Sequence, residues 1–400
     1  MSNETPQPTE PADPARLPGA GLEGAPGRRA PDPEGAGLPP DAADASLPRE
    51  FADFEQIREA NDRLMDGVRR CLESGWQRAR SQILNASRIS ADDEMFMIAH
   101  PEHMGDPAHR IDRWLHQWTS RMLERVVTDV QIFGEEQKPV AALFDVHHFN
   151  RIGYLDALDG SRQAFCLPGG WSINFVLQRY LGLGPDRLPK CELVLLAVVD
   201  AEGVSALWTR GNGAVELGLV GASTEARTVY SDQLLVAEGE DFGVTGQLTV
   251  LAGGYKPTWW EDFSALREGL PDVPIFNTAG GPVARKVIQN SDVVVVQLTA
   301  STLWDGIAAG LIAAAGGFVV EVGGREPLPA EHVLAWFSLF GYERGDTTGG
   351  ALTESRCVPP FVAGMDEENV KRVAAVAAWS ARFVRGDLEA EAEEDEPPAA

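Results

Sequence analysis

The stretch GYLDALDGSRQAF, Gly153 to Phe165, places two aspartates three residues apart, with Gly160 and Ser161 directly after the second. Apolar residues flank it. One reading is a strand, IGYLD, that ends in a solvated polar turn. The other is a cradle for a cation and a phosphate. On that second reading Asp156 and Asp159 stand at the strand end and in the following loop, close enough to share one site. Two carboxylates repel unless something positive lies between them. Hard divalent cations such as Mg2+ accept this set, taking oxygens from carboxylates, water and a backbone carbonyl, here that of Leu158. Gly160 lets a backbone come close to a ligand. If a helical turn starts at Ser161, the amides of Gly160 and Ser161 point outward as an anion site. The short motif alone does not choose between the two readings.

Two distant segments bear on the choice. FGEEQ puts Glu135 and Glu136 just after a short strand, and TLWDGIAAG puts Asp305 at the start of a helix. Taken alone, Asp305 fits a helix N-cap and Glu135 a solvated loop charge.

Around these motifs the pattern alternates between helix and strand. Amphipathic helices are expected over residues 51–85 and 110–128, the latter with Ile111, Trp114, Leu115, Trp118, Met122, Leu123 and Val126 on its apolar side. Short strands follow at DVQIF, IGYLD, WSINFVLQR, CELVLLAVVD and GVSALWTR. Beyond Gln247 come a strand LTVLAG, a helix over 261–268, a strand near VPIFN and a helix from about Pro282. The apolar strand DVVVVQL, a small-residue helix after Asp305, the strand GFVVEV and a helix over 366–385 complete the set. Interleaved helices and strands place the chain in the layered α/β or α+β class. Four segments are expected: a disordered tail over 1–50, an α+β lobe with the acidic motifs over 51–250, an α/β lobe over 251–386, and an acidic disordered tail over 387–400.

The tails follow from composition. Residues 1–50 hold 11 of the 27 prolines and little apolar periodicity, too little to offset the entropy of ordering. They also lack the apolar run of a secretory signal. The formal net charge is −26; nine acids against four bases in the first 50 residues and seven acids in the tail leave −14 for residues 51–386. Nucleic acid binding through a general basic footprint is therefore excluded as an expectation. A phosphate can still bind where a divalent cation supplies the positive charge. The four cysteines, Cys71, Cys166, Cys191 and Cys357, form no C-x-x-C pair, which points to a reducing cytoplasm rather than a disulfide framework or zinc site. The apolar run from Gly306 to Val320 is bracketed by Asp305 and Glu321 and falls short of the ~20 residues a bilayer crossing needs. No membrane partner is expected.

Several motifs lead nowhere. GAGLEG at Gly19 to Gly24 lies in the Pro-rich tail, follows no strand and opens no helix. HPEH, with His100 and His103, reads as a surface loop, and Trp259 and Trp260 as packing or interface residues.

GEE, then D-x-x-D-G-S, then W-D-x-x-A-G followed by AGG resembles the inositol monophosphatase family of Mg2+-dependent, lithium-sensitive phosphatases, relatives of fructose-1,6-bisphosphatases and bisphosphate nucleotidases. The likeness spans roughly Gly105 to Gly324. GDPAHRIDRWLHQWTSRML is similar to the family's early segment, and GSRQAFCLPGGWSINFVL to the stretch after the signature. The resemblance implies that Glu135, Asp156, the Leu158 carbonyl, Asp159 and Asp305 hold the metal ions. It implies catalytic roles for Glu135, Ser161 and Asp159, with Glu135 and the Ser161 hydroxyl orienting the attacking water, and phosphate held by the Gly160 and Ser161 amides. The chain departs from the family at Ala157, where Pro is usual, and at Ser161, where Thr is commoner. Ala108 and His109 replace Val and Thr, which leaves Asp112 as a secondary candidate near the metals. The family's substrate-reading acid is missing; Gln297 and Leu298 stand nearby. The expectation is a cytoplasmic phosphomonoesterase acting with Mg2+ on a small phosphorylated polyol, sugar or nucleotide, with a homodimer allowed. The alternative is a catalytically weak or inactive relative that keeps the fold as a binding or regulatory scaffold.

Overall fold

The computed structural model describes residues 54–86, 98–99, 107–108, 110–146, 148–160, 171–200, 204–209, 214–219, 227–230, 247–253, 259–277, 283–344 and 352–384. Both expected tails, Ser161, HPEH, GAGLEG and the Trp259 and Trp260 side chains lie outside this description. Among the described residues the helices are α1 (Phe54–Ala86), α2 (Arg110–Val126), α3 (Ala141–Asp145), α4 (Trp259–Gly269), α5 (Val283–Gln289), α6 (Ile307–Ala314), α7 (Ala330–Trp336) and α8 (Glu367–Val384). After a two-residue pair, β1 (Ile98–Ala99) with β2 (Pro107–Ala108), the strands build two main sheets.

The first sheet runs β3 (Val130–Phe133), β4 (Arg151–Asp159), β5 (Ser172–Leu183), β6 (Pro189–Asp200), β7 (Val204–Thr209), β8 (Ala214–Leu219) and β9 (Arg227–Tyr230), in that spatial order. Only β3 and β4 are parallel; the rest is an antiparallel meander. The second sheet comprises β10 (Thr249–Gly253), β11 (Ile275–Asn277), β12 (Val293–Gln297), β13 (Phe318–Glu321) and β16 (Phe361–Gly364), ordered β11-β10-β12-β16-β13. A separate hairpin joins β14 (Tyr342–Arg344) to β15 (Leu352–Glu354).

Three apolar clusters define the layers. α1 and α2 cover one face of the first sheet, through Leu72, Trp76, Leu115 and Leu123 against Leu155, Ile173, Phe175, Leu195 and Leu207. The other face, with Ile152, Tyr154, Val176, Leu196 and Val198, packs on α5 and α6, which in turn meet Leu251, Val295 and Ala363 of the second sheet. α4 and α8 close the far face of the second sheet. The result is helix, sheet, helix, sheet, helix. Period-two alternation sorts each strand's side chains between those layers.

One expectation changes. α2 buries only part of the apolar side the periodicity suggests: Leu115 and Leu123 are buried, but Trp114 and Val126 are exposed, and Asp112, His116, Thr119 and Ser120 are buried in their place. The helix is rotated so that its first turn carries Asp112 inward, toward the acids of β4. The run after Asp305 is, as expected, a small-residue helix followed by a strand. It splits into α6 and β13 in different layers, and no described helix is long and apolar enough to cross a membrane.

Candidate metal centre

The acids of the opening stretch both lie within β4 rather than one on the strand and one in a loop. Residues three apart on a regular strand face opposite sides. Here Asp156 pairs with Asn174 and Asp159 with Ser172, so three residues of β4 span two of β5. That is a β-bulge. Ala157 and Leu158 both turn into the α1–α2 side of the sheet. Asp159 thereby returns to the face that Asp156 shares with Tyr154. The Leu158 amide donates to Asp156 Oδ1 at 3.0 Å, which locks the bulge. Gly160 follows with φ +82°, a left-handed turn that a side chain would strain.

Asp305 reaches the same place from the helix layer. It is not the N-cap of α6; Gly306 is, without a side-chain cap bond. The Asp305 amide instead donates within its own turn, to Thr302 Oγ1 at 3.2 Å. Carboxylate oxygens of Asp156, Asp159 and Asp305 all lie within 4.8 Å of one another. Asp156 is 6% exposed and Asp159 9%.

Glu135 is brought in by a tight hairpin. Gly134 and Gln137 exchange backbone bonds at 3.0 and 3.2 Å, leaving Glu135 and Glu136 at the tip. Gly134 is needed for closeness: a Cβ there would sit 2.0 Å from the Leu155 carbonyl oxygen and 2.8 Å from His116. This lays the hairpin directly against the residue preceding Asp156. Tyr342 donates to the Gly134 carbonyl at 3.1 Å and Gly341 to the Tyr154 hydroxyl at 3.1 Å, bracing both strands. Glu136 turns away to Arg113, at 3.5 Å.

The electrostatics follow from this crowding. Burial first, then Asp112, Asp305, Glu354 and Glu136, push the Glu135 carboxyl well above its usual range. Burial and the charges of Asp159, Asp112, Glu135 and Asp305 do the same to Asp156. Asp305 is pushed up to about 7 by burial and Asp159, with Thr302 and Arg356 opposing. Five acids from four chain segments therefore feel one another: Asp112, Glu135, Asp156, Asp159 and Asp305.

Such a set fits a hard divalent cation. Its donors are carboxylate oxygens, and two oxygens on opposite sides of one Mg2+ lie about 4.2 Å apart, inside the 4.8 Å that bounds the separations here. A cation also removes the repulsion that otherwise drives these groups to take up protons.

The structure brings Asp156, Asp159 and Asp305 of the sequence reading within 4.8 Å of one another, and sets Glu135 and the secondary candidate Asp112 close enough to perturb them. Leu158 lies in the bulge and Gly160 at its exit; Ser161 is outside the described residues. Sequence reasoning missed Asn174, Ser172 and Glu354. Asn174 donates to Asp159 Oδ2 at 2.9 Å, and Glu354 pairs with Lys138 at 3.4 Å beside Glu135. A cue existed for the first two. Ser172, Asn174 and Gln178 are polar on one face of a strand whose other face is Ile173, Phe175 and Leu177.

No protein-family model and no curated protein matches the sequence. The structure is similar to solved structures of the inositol monophosphatase family and of fructose-1,6-bisphosphatase. An IMPase from Thermotoga maritima aligns at TM-score 0.48 and 14% identity, covering 80% of this chain and 98% of that one. CysQ from Bacteroides thetaiotaomicron, a bacterial member of the inositol monophosphatase family, aligns at 0.44 and 15%, covering 79% and 99%. Fructose-1,6-bisphosphatase of Leishmania major in holo form aligns at 0.48 and 11%, covering 82% and 99%.

Proposed function

We propose that this chain is a Mg2+-dependent phosphomonoesterase of inositol monophosphatase type, acting on a small phosphorylated polyol, sugar or nucleotide. The observation that carries the reading is the convergence of Asp156, Asp159 and Asp305 within 4.8 Å, from a bulged strand and a distant turn. The order of the GEE, D-x-x-D-G-S and W-D-x-x-A-G motifs supports it.

On this reading Asp156, Asp159, Asp305, Glu135 and the Leu158 carbonyl hold the cation. Bound Mg2+ would lower the pKa of a coordinated water and offset charge on the phosphoryl oxygens. Glu135 orients the attacking water together with the Ser161 hydroxyl. The amides of Gly160 and Ser161 would hold the phosphate, and the left-handed turn at Gly160 keeps a side chain out of that approach. Lithium sensitivity and a cytoplasmic location belong to the same reading.

The test is phosphate release from a panel of sugar, polyol and nucleoside phosphates with Mg2+, repeated with Li+ and with EDTA. Release that needs Mg2+ and falls with Li+ supports the proposal. Silence across the panel from protein that still binds the cation would instead mark a non-catalytic relative.

A further inference from the structure

We propose that Asn174, which is outside the acidic set, is the positioning residue that fixes where Asp159 stands relative to Asp305. The proposal rests on the cation reading above. Asn174 is 0% exposed, and every polar atom of its side chain is engaged. Nδ2 donates to Asp159 Oδ2 at 2.9 Å and to the Trp304 carbonyl oxygen at 3.1 Å. Oδ1 accepts from the Ser172 hydroxyl at 2.7 Å, and that hydroxyl lies 3.4 Å from Asp159 Oδ2.

The two acceptors belong to different layers. Asp159 ends β4 of the first sheet, and Trp304 immediately precedes Asp305 in the turn that opens α6. On the sheet, Asn174 stands opposite Asp156, and its side chain crosses diagonally to Asp159 on the same face. One planar amide thus spans the strand and the turn, and holds their acceptors at a set separation.

The choice of residue follows from the donor count. A carboxamide offers two protons on one nitrogen and an acceptor oxygen. Serine or threonine offers a single proton. Aspartate of the same shape would set an oxygen against both Asp159 Oδ2 and the Trp304 carbonyl. Before a cation arrives, the acids of the two segments repel, and the neutral Asn174 bridge opposes their parting without adding charge. Its loss should therefore weaken cation binding beyond any loss of stability.

Gln178 provides the contrast. It is another 0% exposed amide on the same strand face, donating to the carbonyls of Phe337 at 2.6 Å and Leu339 at 2.7 Å, away from the acids.

The experiment titrates Mn2+ into wild type, Asn174→Ala and Gln178→Ala by calorimetry, with near-UV circular dichroism and the metal-free melting temperature recorded for each. The Mn2+ dissociation constant is expected to rise about 10- to 100-fold in Asn174→Ala. In Gln178→Ala the melting temperature should fall while the dissociation constant stays at the wild-type value. The Mg2+ concentration for half-maximal phosphate release should rise with the first variant, and saturating Mg2+ should restore most of kcat. Should Asn174→Ala not fold, Asn174→Ser keeps one donor and carries the same expectation at a smaller factor. Wild-type Mn2+ affinity in a folded Asn174 variant overturns the positioning role alone, as does an equal loss in Gln178→Ala. Absence of Mn2+ binding in wild type overturns the cation reading and this proposal together.

Discussion

Asp305 illustrates how one side chain is diverted from a common duty to a rarer one. It stands one residue before the α6 N-cap, so its carboxylate is not spent on the helix amides and joins Asp156 and Asp159 instead. Asp305→Asn and Asp156→Asn keep shape and remove charge. Each should lower Mg2+-dependent phosphate release at saturating substrate by at least about a hundredfold, with the fold intact by circular dichroism. Wild-type turnover in either would remove that residue from the site. The pH dependence has a definite sign. The folded Asp305 carboxyl lies at about 7 against 3.8 for the ordinary group, so the folded chain takes up the extra proton. That contribution is full below about pH 3.8 and is lost as pH rises through about 7. Glu135 and Asp156, also raised, act in the same direction. The metal-free protein therefore gains more thermal stability from added Mg2+ at pH 8 than at pH 5, a difference that calorimetric melting at the two pH values checks. A smaller gain at pH 8 contradicts the crowding. At this scale the aspartates are legible in the sequence because they recur in ordered motifs. Asn174 shows only as part of a polar strand face, because its role comes from a carbonyl 130 residues away.

At the scale of elements, the bulge in β4 and the hairpin after β3 shape the site. A regular β4 would send Asp159 into the apolar layer under α1 and α2, where an unpaired charge is costly. The hairpin reaches Asp156 only because residue 134 has no side chain. Gly134→Ala would place a methyl 2.0 Å from the Leu155 carbonyl oxygen, and backbone there has little room to move. It should cost about 1–3 kcal/mol in denaturant unfolding and weaken Mn2+ binding through Glu135. Unchanged stability and affinity would show that the hairpin does not need this closeness. Long periodic elements such as α1, β5, β6 and α8 are readable from their apolar spacing. β16 is not: it has four residues behind Pro359 and Pro360, yet pairs with both β12 and β13 inside the second sheet. α3, α7 and the β14–β15 hairpin are likewise too short for periodicity to register. The α2 face is misread for a different reason, since apolar periodicity does not reveal a helix that buries acids and hydroxyls toward a site.

Across the whole molecule, five layers place the acids where the first sheet meets the central helices. The layering is legible as interleaved helices and strands; the pairing order of the second sheet is not, because β10, β12 and β16 meet through contacts remote in sequence. A chain of formal net charge −26 that also gathers buried acids raises the local concentration of divalent cations and keeps free anions away. A phosphate would then enter only in the company of a cation. The most direct measurement is an anomalous-difference map from crystals soaked in Mn2+. A peak is expected about 2–2.5 Å from oxygens of Asp156, Asp159 and Asp305 together. A map with no peak among those three carboxylates, at Mn2+ well above physiological levels, would contradict it.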